Sequence, residues 1–216
     1  MHRLLLKSAA YRQTSGLQPK AFEIDPENRL AWRHRIERLD AESMRDAMLA
    51  ISGQLDRQFG GPYVATSRND SGEVLVDSKG AGANRRSVYL QQRRTQTLSL
   101  LNVFDSPTIV FNCVERPAST MPLQSLSLLN SQFVVQQARH FAERLEREAG
   151  ASAGARVAHA FLLALARGPS EEEMRVSLDF IKTQGGVYGG QAGAELTAWS
   201  DFCQMMLASN PFLYVE

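Results

Sequence analysis

The sequence has few residues of the types that build covalent frameworks and metal sites. Its 216 residues include two cysteines, Cys113 and Cys203, and four histidines. Two cysteines cannot form a disulfide framework or a structural zinc site by themselves, so one disulfide and two buried free thiols stay as alternatives. The histidines show no metal-ligand spacing, and no Cys-x-x-Cys-His haem attachment motif occurs. We therefore expect no metal site and no bound cofactor.

Long apolar runs and an excess of one charge are also missing. No apolar run approaches the roughly 20 residues that span a bilayer. Near the N-terminus the continuous apolar run covers only residues 4–6, far below the ~7 to 15 residues of a signal-peptide core. The net charge of +1 provides no broad attraction for nucleic acid or anionic lipid. The sequence thus predicts no membrane span, no export signal in this chain and no nucleic-acid partner.

What the sequence does contain is typical of a soluble globular protein with a real core. Hydrophobic residues make up 44% and charged residues 22%. A chain of this length can bury about 70% of its surface on folding. Neither composition nor spacing reveals a catalytic motif.

The stretch with the clearest helical pattern is residues 116–145, RPASTMPLQSLSLLNSQFVVQQARHFAERL. Pro122 favours a helix start, with Ser119 and Thr120 available as caps. The apolar residues fall on two offset sides, one formed by Leu126, Leu129 and Phe133 and the other by Val134, Ala138, Phe141 and Leu145. Because the phase changes at Asn130-Ser131, we predict two helices, or one kinked helix, ending at Gly150.

Further helices are predicted from caps, prolines and apolar spacing. They comprise residues 2–12, a helix beginning at Asp25-Pro26 and anchored by Leu30, Trp32 and Ile36, a helix capped by Asp40 and stopped by Gly60-Gly61-Pro62, and residues 98–104, 155–167, 170–181 and 194–208. The apolar tail at residues 212–215 should dock onto the body. The glycine-rich run QGGVYGGQAG follows a helix and lacks a P-loop ending, so we interpret it as a flexible connection.

Residues 72–77 and 86–91 are rich in Val, Leu and Tyr, and the loop SKGAGAN separates them, which predicts a small β-hairpin. The candidate anion-binding residues lie around its second strand and in the following connector: Arg85, Arg86, Arg93, Arg94 and Arg116, with Tyr89 as a stacking surface. The interpretation we favour is that these arginines pair with acidic neighbours such as Asp77 and Asp105 or face water.

The connector also places Cys113 near Arg116. An adjacent cation can lower the pKa of a thiol, but no histidine in the segment could act as its base, and we favour a structural cysteine. Taken together, the patterns predict a mainly α fold: an irregular multi-helix bundle with a small inserted β-hairpin, forming a single domain over residues 1–216.

The chain resembles a known family, the planctomycete cytochrome-associated domain called domain of unknown function 1553. The likeness rests on short motifs in matching order: HRLLLKSAAYRQTS, DPENRLAW, RLDAESMRDAMLAISGQLD, GGP, RRSVYLQQRR, STMPLQSLSLLNSQFVVQQARHFAERL and ASNPFLYVE. The resemblance implies the C-terminal part of a large exported protein, lacking the family's N-terminal segment. It implies an extracytoplasmic setting (periplasm or cell surface) and, as partners, other domains of the parent protein or its upstream gene product. It supplies no reaction and no catalytic residues.

Two functions remain open at this point. One is a non-catalytic binding or assembly module of an exported, cytochrome-associated multidomain protein. The other is part of an enzyme acting on an extracellular anionic polymer or sulfated sugar, in which Arg86, Arg93, Arg94 and Arg116 hold the anionic group. A concave pocket shared by these arginines and a carboxylate would favour the enzyme.

Overall fold

A computed structural model of the chain describes residues 1–77, 80, 82–107 and 116–215. The described chain divides into two compact units. One unit comprises Met1–Leu39 and the end of the chain from Tyr214, and the other comprises Asp40–Leu213. The single domain stays a prediction, because a compact unit need not be an independently folding domain.

The first unit contains two short helices and one pair of strands. They are α1 (His2–Lys7), α2 (Pro19–Ile24), β1 (Glu37–Arg38) and β4 (Tyr214–Val215). The two strands are antiparallel, with Glu37 opposite Val215 and Arg38 opposite Tyr214. The buried residues in this unit are polar, Asp25 and Asn28, so hydrogen bonds carry more of its local order than apolar packing does.

The prediction of a helix beginning at Asp25-Pro26 is wrong, because the residues that follow Asp25 form turns. The Asp25 carboxylate accepts hydrogen bonds from the backbone N–H groups of Arg29 and Leu30, at 3.0 and 2.7 Å. A helix cap would bond two or three residues ahead, whereas these bonds reach four and five residues ahead and close a loop. Asn28 and Ala31 adopt positive φ angles of 56° and 53°. Leu30 is therefore exposed, as is Ile36, and neither anchors a helix.

The second unit contains the remaining elements, which are mostly helices. They are α3 (Ala41–Ile51), β2 (Thr66–Arg68), β3 (Val74–Val76), a 3-10 turn (Ser87–Tyr89), α4 (Ser99–Val103), α5 (Pro122–Asn130), α6 (Gln132–Ala149), α7 (Ala153–Leu165), α8 (Glu171–Val187), α9 (Ala194–Leu207) and α10 (Asn210–Leu213). The predicted fold class, mainly α with a small β-hairpin, is confirmed.

The centre of the core is α6, which packs chiefly against α9 and also against α7. The predicted inner side of α6 is confirmed, because its members Val134, Ala138, Phe141 and Leu145 are all buried. From α9, Trp199 and Phe202 meet edge to face with ring centroids 5.7 Å apart. Of the tail predicted to dock, Phe212 and Leu213 are buried, whereas Val215 is 46% exposed.

The joint at Asn130-Ser131 is confirmed, since α5 ends at Asn130 and Ser131 has extended dihedrals of −64° and 122° before α6 begins. The first apolar side is only partly buried. Leu126 and Leu129 are 55% and 56% exposed, while Leu128 is buried. Ser119 does not cap α5 but donates through its backbone N–H to Asp105 at 2.8 Å.

The hairpin uses a different partner strand from the predicted one. Its first predicted strand exists as β3, but β3 pairs antiparallel with β2, with Ser67 opposite Leu75. The predicted strand at residues 86–91 instead forms the 3-10 turn. Ser87 donates to the Asp46 carboxylate through both its N–H and its hydroxyl, each at 2.7 Å, which holds the turn against α3, and Leu90 forms only an isolated parallel bridge with Val64.

Three helix ends differ from their predicted positions. Helix α3 ends at Ile51, before the predicted stop at Gly60-Gly61-Pro62. Just after this end, Gly53 has a φ of 76°. The 2–12 helix is limited to α1. The first residues of the glycine-rich run belong to the last turn of α8, and only the residues after Val187 form the connection to α9.

Candidate binding cleft

Arg85 and Tyr89 are brought together by the structure and hold one loop. Arg85 is buried and donates through Nη1 to the Pro62 carbonyl at 2.7 Å and through Nη2 to the Gly60 carbonyl. Its guanidinium carbon lies 3.8 Å from the centre of the Tyr89 ring. The Tyr89 hydroxyl accepts a hydrogen bond from the Gly60 N–H at 2.9 Å. Both side chains therefore stabilise the loop at residues 60–62.

The other predicted anion-binding arginines have separate surroundings. Arg86 lies 3.4 Å from the Asp46 carboxylate, Arg93 donates to the Gln96 amide at 3.3 Å, and Arg116 pairs with Glu42 at 2.7 Å. Arg94 is exposed. The carboxylates in these two ion pairs belong to Asp46 and Glu42. Anion binding by these residues stays a prediction. Cys113 lies outside the described residues.

A buried arginine that the sequence reasoning missed is Arg45 on α3, which is 1% exposed. It donates through Nη1 to the Arg85 carbonyl at 2.9 Å and through Nη2 to the Ala83 carbonyl at 2.8 Å. Burial lowers the pKa of Arg45 to about 10, against the opposing effect of Asp46. Its position between the apolar residues Met44 and Met48 was the available signal, because a charge on a buried helix face needs fixed partners.

A cleft of about 320 Å³ lies in the second unit, between β3, α4, α5 and the start of α6. Among the residues that the structure describes, nine apolar and eight neutral polar side chains line it. The apolar ones are Leu75, Val76, Ala83, Leu98, Leu100, Val103, Leu123, Leu126 and Phe133. A concave, mainly apolar cavity of this size with a few polar groups is the usual form of a ligand site.

The joint between α5 and α6 explains why this cleft exists. Leu126 and Phe133 fall on one side of the helical pattern, and both line the cleft. Because the chain is extended at Ser131, α5 does not continue the α6 axis into the core. This side therefore forms part of an open wall, in which Leu126 is 55% exposed and the neighbouring Leu123 is 53% exposed.

The charged residues of the lining are Arg45 and Glu73. The Arg45 guanidinium is occupied by the two carbonyl oxygens and by Ser87 Oγ at 3.3 Å. Glu73 is exposed and accepts a 3.4 Å hydrogen bond from Asn69. The interior of the cleft thus presents apolar surface and neutral amides and hydroxyls.

The family can now be identified from the greater part of the sequence. A family model described as "Protein of unknown function (DUF1553)" matches residues 1–181. The chain belongs to the DUF1553 family. Comparison with curated proteins and with solved structures found no match.

In this DUF1553 chain the matched region contains every residue of the cleft lining, from Arg45 to Gln137. Within the described ranges, no group of histidine, cysteine, aspartate and glutamate side chains could hold a metal ion. None of the described helices is both long enough and apolar enough to cross a membrane. The arrangement is suited to binding, because it joins apolar walls to neutral hydrogen-bonding groups.

Proposed function

We propose that this DUF1553 chain is a non-catalytic binding and assembly module, and that the cleft receives an apolar segment of another domain of its parent protein or of its upstream gene product. The observation that carries the proposal is the open apolar wall formed by Leu123, Leu126 and Phe133. Covering such a surface is favourable by about 25 cal/mol for each Å² removed from water. A partner segment would supply that cover.

The proposed setting is an exported, extracytoplasmic, cytochrome-associated planctomycete protein, of which the chain forms the C-terminal part. Its support is the resemblance in the quoted motifs. Cell fractionation tests the location, and haem absorbance in a mildly purified complex tests the cytochrome association. Recovery of the protein only in the cytoplasmic fraction would contradict the proposed location.

The alternative, an enzyme acting on an extracellular anionic polymer or sulfated sugar, stays a prediction. None of Arg85, Arg86, Arg93, Arg94 and Arg116 belongs to the cleft lining. No described contact favours this alternative over the binding module, so we do not adopt it.

Photo-cross-linking tests the binding module. Benzoylphenylalanine replaces Leu126 in the cleft wall, and in a matched variant it replaces Leu162 of α7, which is 56% exposed and outside the lining. We expect the variant at position 126 to give one adduct in the producing cells, mapped by mass spectrometry to an apolar segment of the parent protein or the adjacent gene product. The variant at position 162 should not give this adduct. Equal labelling from both positions, or none from position 126, would overturn the proposal.

A further inference from the structure

One wall of the cleft carries three glutamines from α6, Gln132, Gln136 and Gln137. Their exposure decreases along the chain: Gln132 is exposed, Gln136 is half-buried and Gln137 is only 4% exposed. Each carboxamide offers both a hydrogen-bond donor and an acceptor. The apolar walls therefore face three neutral amides that differ in their exposure to solvent.

Gln137 has one amide end that no described residue satisfies. Its Oε1 lies 2.7 Å from Ser52 Oγ, and within the described chain its Nε2 donates no hydrogen bond. Ser52 does not belong to the cleft lining, whereas Gln137 does. Whichever way the amide is turned, one end bonds to Ser52 and the other is left for the cleft. This amide end is not among the fully buried polar atoms that lack a partner, so water reaches it, and an occupant that displaces this water must bring a matching amide or carbonyl.

The charge of the lining restricts the occupant further. Arg45 is already bonded to Ala83, Arg85 and Ser87, and Glu73 is exposed. An anionic group entering the cleft would lose its water without gaining a free cation, because the guanidinium of Arg45 is already bonded. The occupant should therefore carry no acidic group where it enters, and a bulky apolar group should face the leucine wall.

We propose that the cleft recognises an extended peptide segment without acidic side chains, with an apolar side chain against Leu126 and Phe133 and its backbone amides paired with Gln136 and Gln137. This inference rests on the proposed function, since it names the chemistry of the same site. A peptide group can pair with a carboxamide, because its N–H donates to the amide oxygen and its carbonyl accepts from the amide nitrogen. Leu123 and Leu126, which are exposed, add apolar contact for the same segment. A small hydrocarbon could fill the apolar space but would leave the Gln137 amide unpaired.

The test uses the full chain, ¹⁵N-labelled, with three probes followed by amide chemical shifts. The probes are the blocked tripeptide acetyl-Ala-Leu-Ala-amide, the same peptide with Glu in place of Leu, and toluene, which has no hydrogen-bonding group. We expect the leucine peptide to shift the signals of residues 123–137 and to bind at least about tenfold more tightly than the glutamate peptide. Gln137→Leu should weaken leucine-peptide binding about tenfold and leave toluene binding unchanged or tighter.

Gln184→Leu on α8, outside the cleft lining, is the matched control and should change neither affinity. Toluene binding without peptide binding, or peptide binding unaffected by Gln137→Leu, would overturn the peptide assignment but keep an apolar binding site. Peptide shifts located outside the cleft would also overturn it. If neither the leucine peptide nor toluene shifts the cleft signals, both the peptide assignment and the proposed function fail.

Discussion

The guanidinium carbon of Arg45 lies 5.3 Å from the centre of the Phe133 ring. Arg45 belongs to α3 and Phe133 to the first turn of α6, so this cation–π contact connects two helices of the second unit. The same guanidinium binds the carbonyls of Ala83 and Arg85. One buried side chain thus holds a loop and an aromatic ring that both contribute to the cleft lining.

Replacing Arg45 should destabilise the fold more than the loss of a surface charge would. Arg45→Met keeps much of the side-chain volume but leaves two carbonyl oxygens without their donors. We expect the free energy of unfolding to fall by about 2–4 kcal/mol. Denaturant unfolding followed by circular dichroism measures the loss. The exposed Arg94→Met is the control and should change stability by no more than about 0.5 kcal/mol. Equal effects of the two variants would show that the buried hydrogen bonds do not contribute.

Two leucines of the same predicted helical stretch should respond differently to truncation. Leu145 is fully buried on α6, whereas Leu126 on α5 is 55% exposed. Leu145→Ala should therefore reduce the free energy of unfolding by about 2–5 kcal/mol, because it removes buried apolar volume and leaves a cavity. Leu126→Ala should reduce it by about 0.5 kcal/mol or less. Comparable losses would place Leu126 in the core.

Glu173 should make the fold sensitive to acid. Its carboxylate accepts hydrogen bonds from both terminal nitrogens of Arg167, at 2.8 and 2.7 Å, and from the Ser170 N–H at 2.7 Å. The bonds from Arg167, followed by the Ser170 N–H, lower the pKa of Glu173 to about 2 from an ordinary value of 4.5. Below about pH 4.5 the unfolded chain binds this proton and the folded chain does not, so the stabilisation declines between about pH 4.5 and 2.

NMR titration of the Glu173 side chain measures this pKa directly. Between about pH 4.5 and 2, the free energy of unfolding should fall less in the Glu173→Gln variant than in the wild-type chain. A titration midpoint near 4.5 for Glu173 would contradict the expected coupling. So would identical acid unfolding curves of the two proteins.

Cys203 should be unreactive while the chain is folded. It is buried on α9 and is a free thiol. Burial raises the pKa of the Cys203 thiol well above its ordinary value, which lowers the fraction of reactive thiolate. In a Cys113→Ser variant, which leaves Cys203 as the single cysteine, Ellman's reagent at pH 8 should react only after denaturant is added. Rapid reaction without denaturant would show that α9 opens readily.

Several helices were predictable because their signals lie within a few residues. Asp40 accepts a hydrogen bond from the Ser43 N–H at 2.7 Å, and Ser170 and Glu173 form the expected capping box. Pro122 begins α5, and Gly150 follows the end of α6. The same local reasoning failed at Asp25, because a cap residue can equally close a loop when the next residues leave helical dihedrals.

The cleft was harder to predict, since its polar contacts join residues far apart in the chain. The sequence indicated Leu126 and Phe133 as one apolar side but could not show whether another element covers it. The arginine pairs drew attention to Arg85 and Arg86, whereas the arginine that lines the cleft is Arg45. No motif marked Gln137, because a glutamine in a helix is ordinary until its neighbours are known.

The sequence by itself determined the mainly helical fold, the caps at Asp40 and Ser170, the joint at Asn130-Ser131 and the apolar side of α6, because periodicity and local hydrogen bonding act over a few residues. Only the tertiary structure decided which strand joins the hairpin, which apolar side stays open and which groups form hydrogen bonds with the arginines. These outcomes depend on contacts such as Arg45 with the Arg85 carbonyl, 40 residues apart, and Ser52 with Gln137, 85 residues apart. Such contacts exist only after the helices have packed, and they are what shape the cleft.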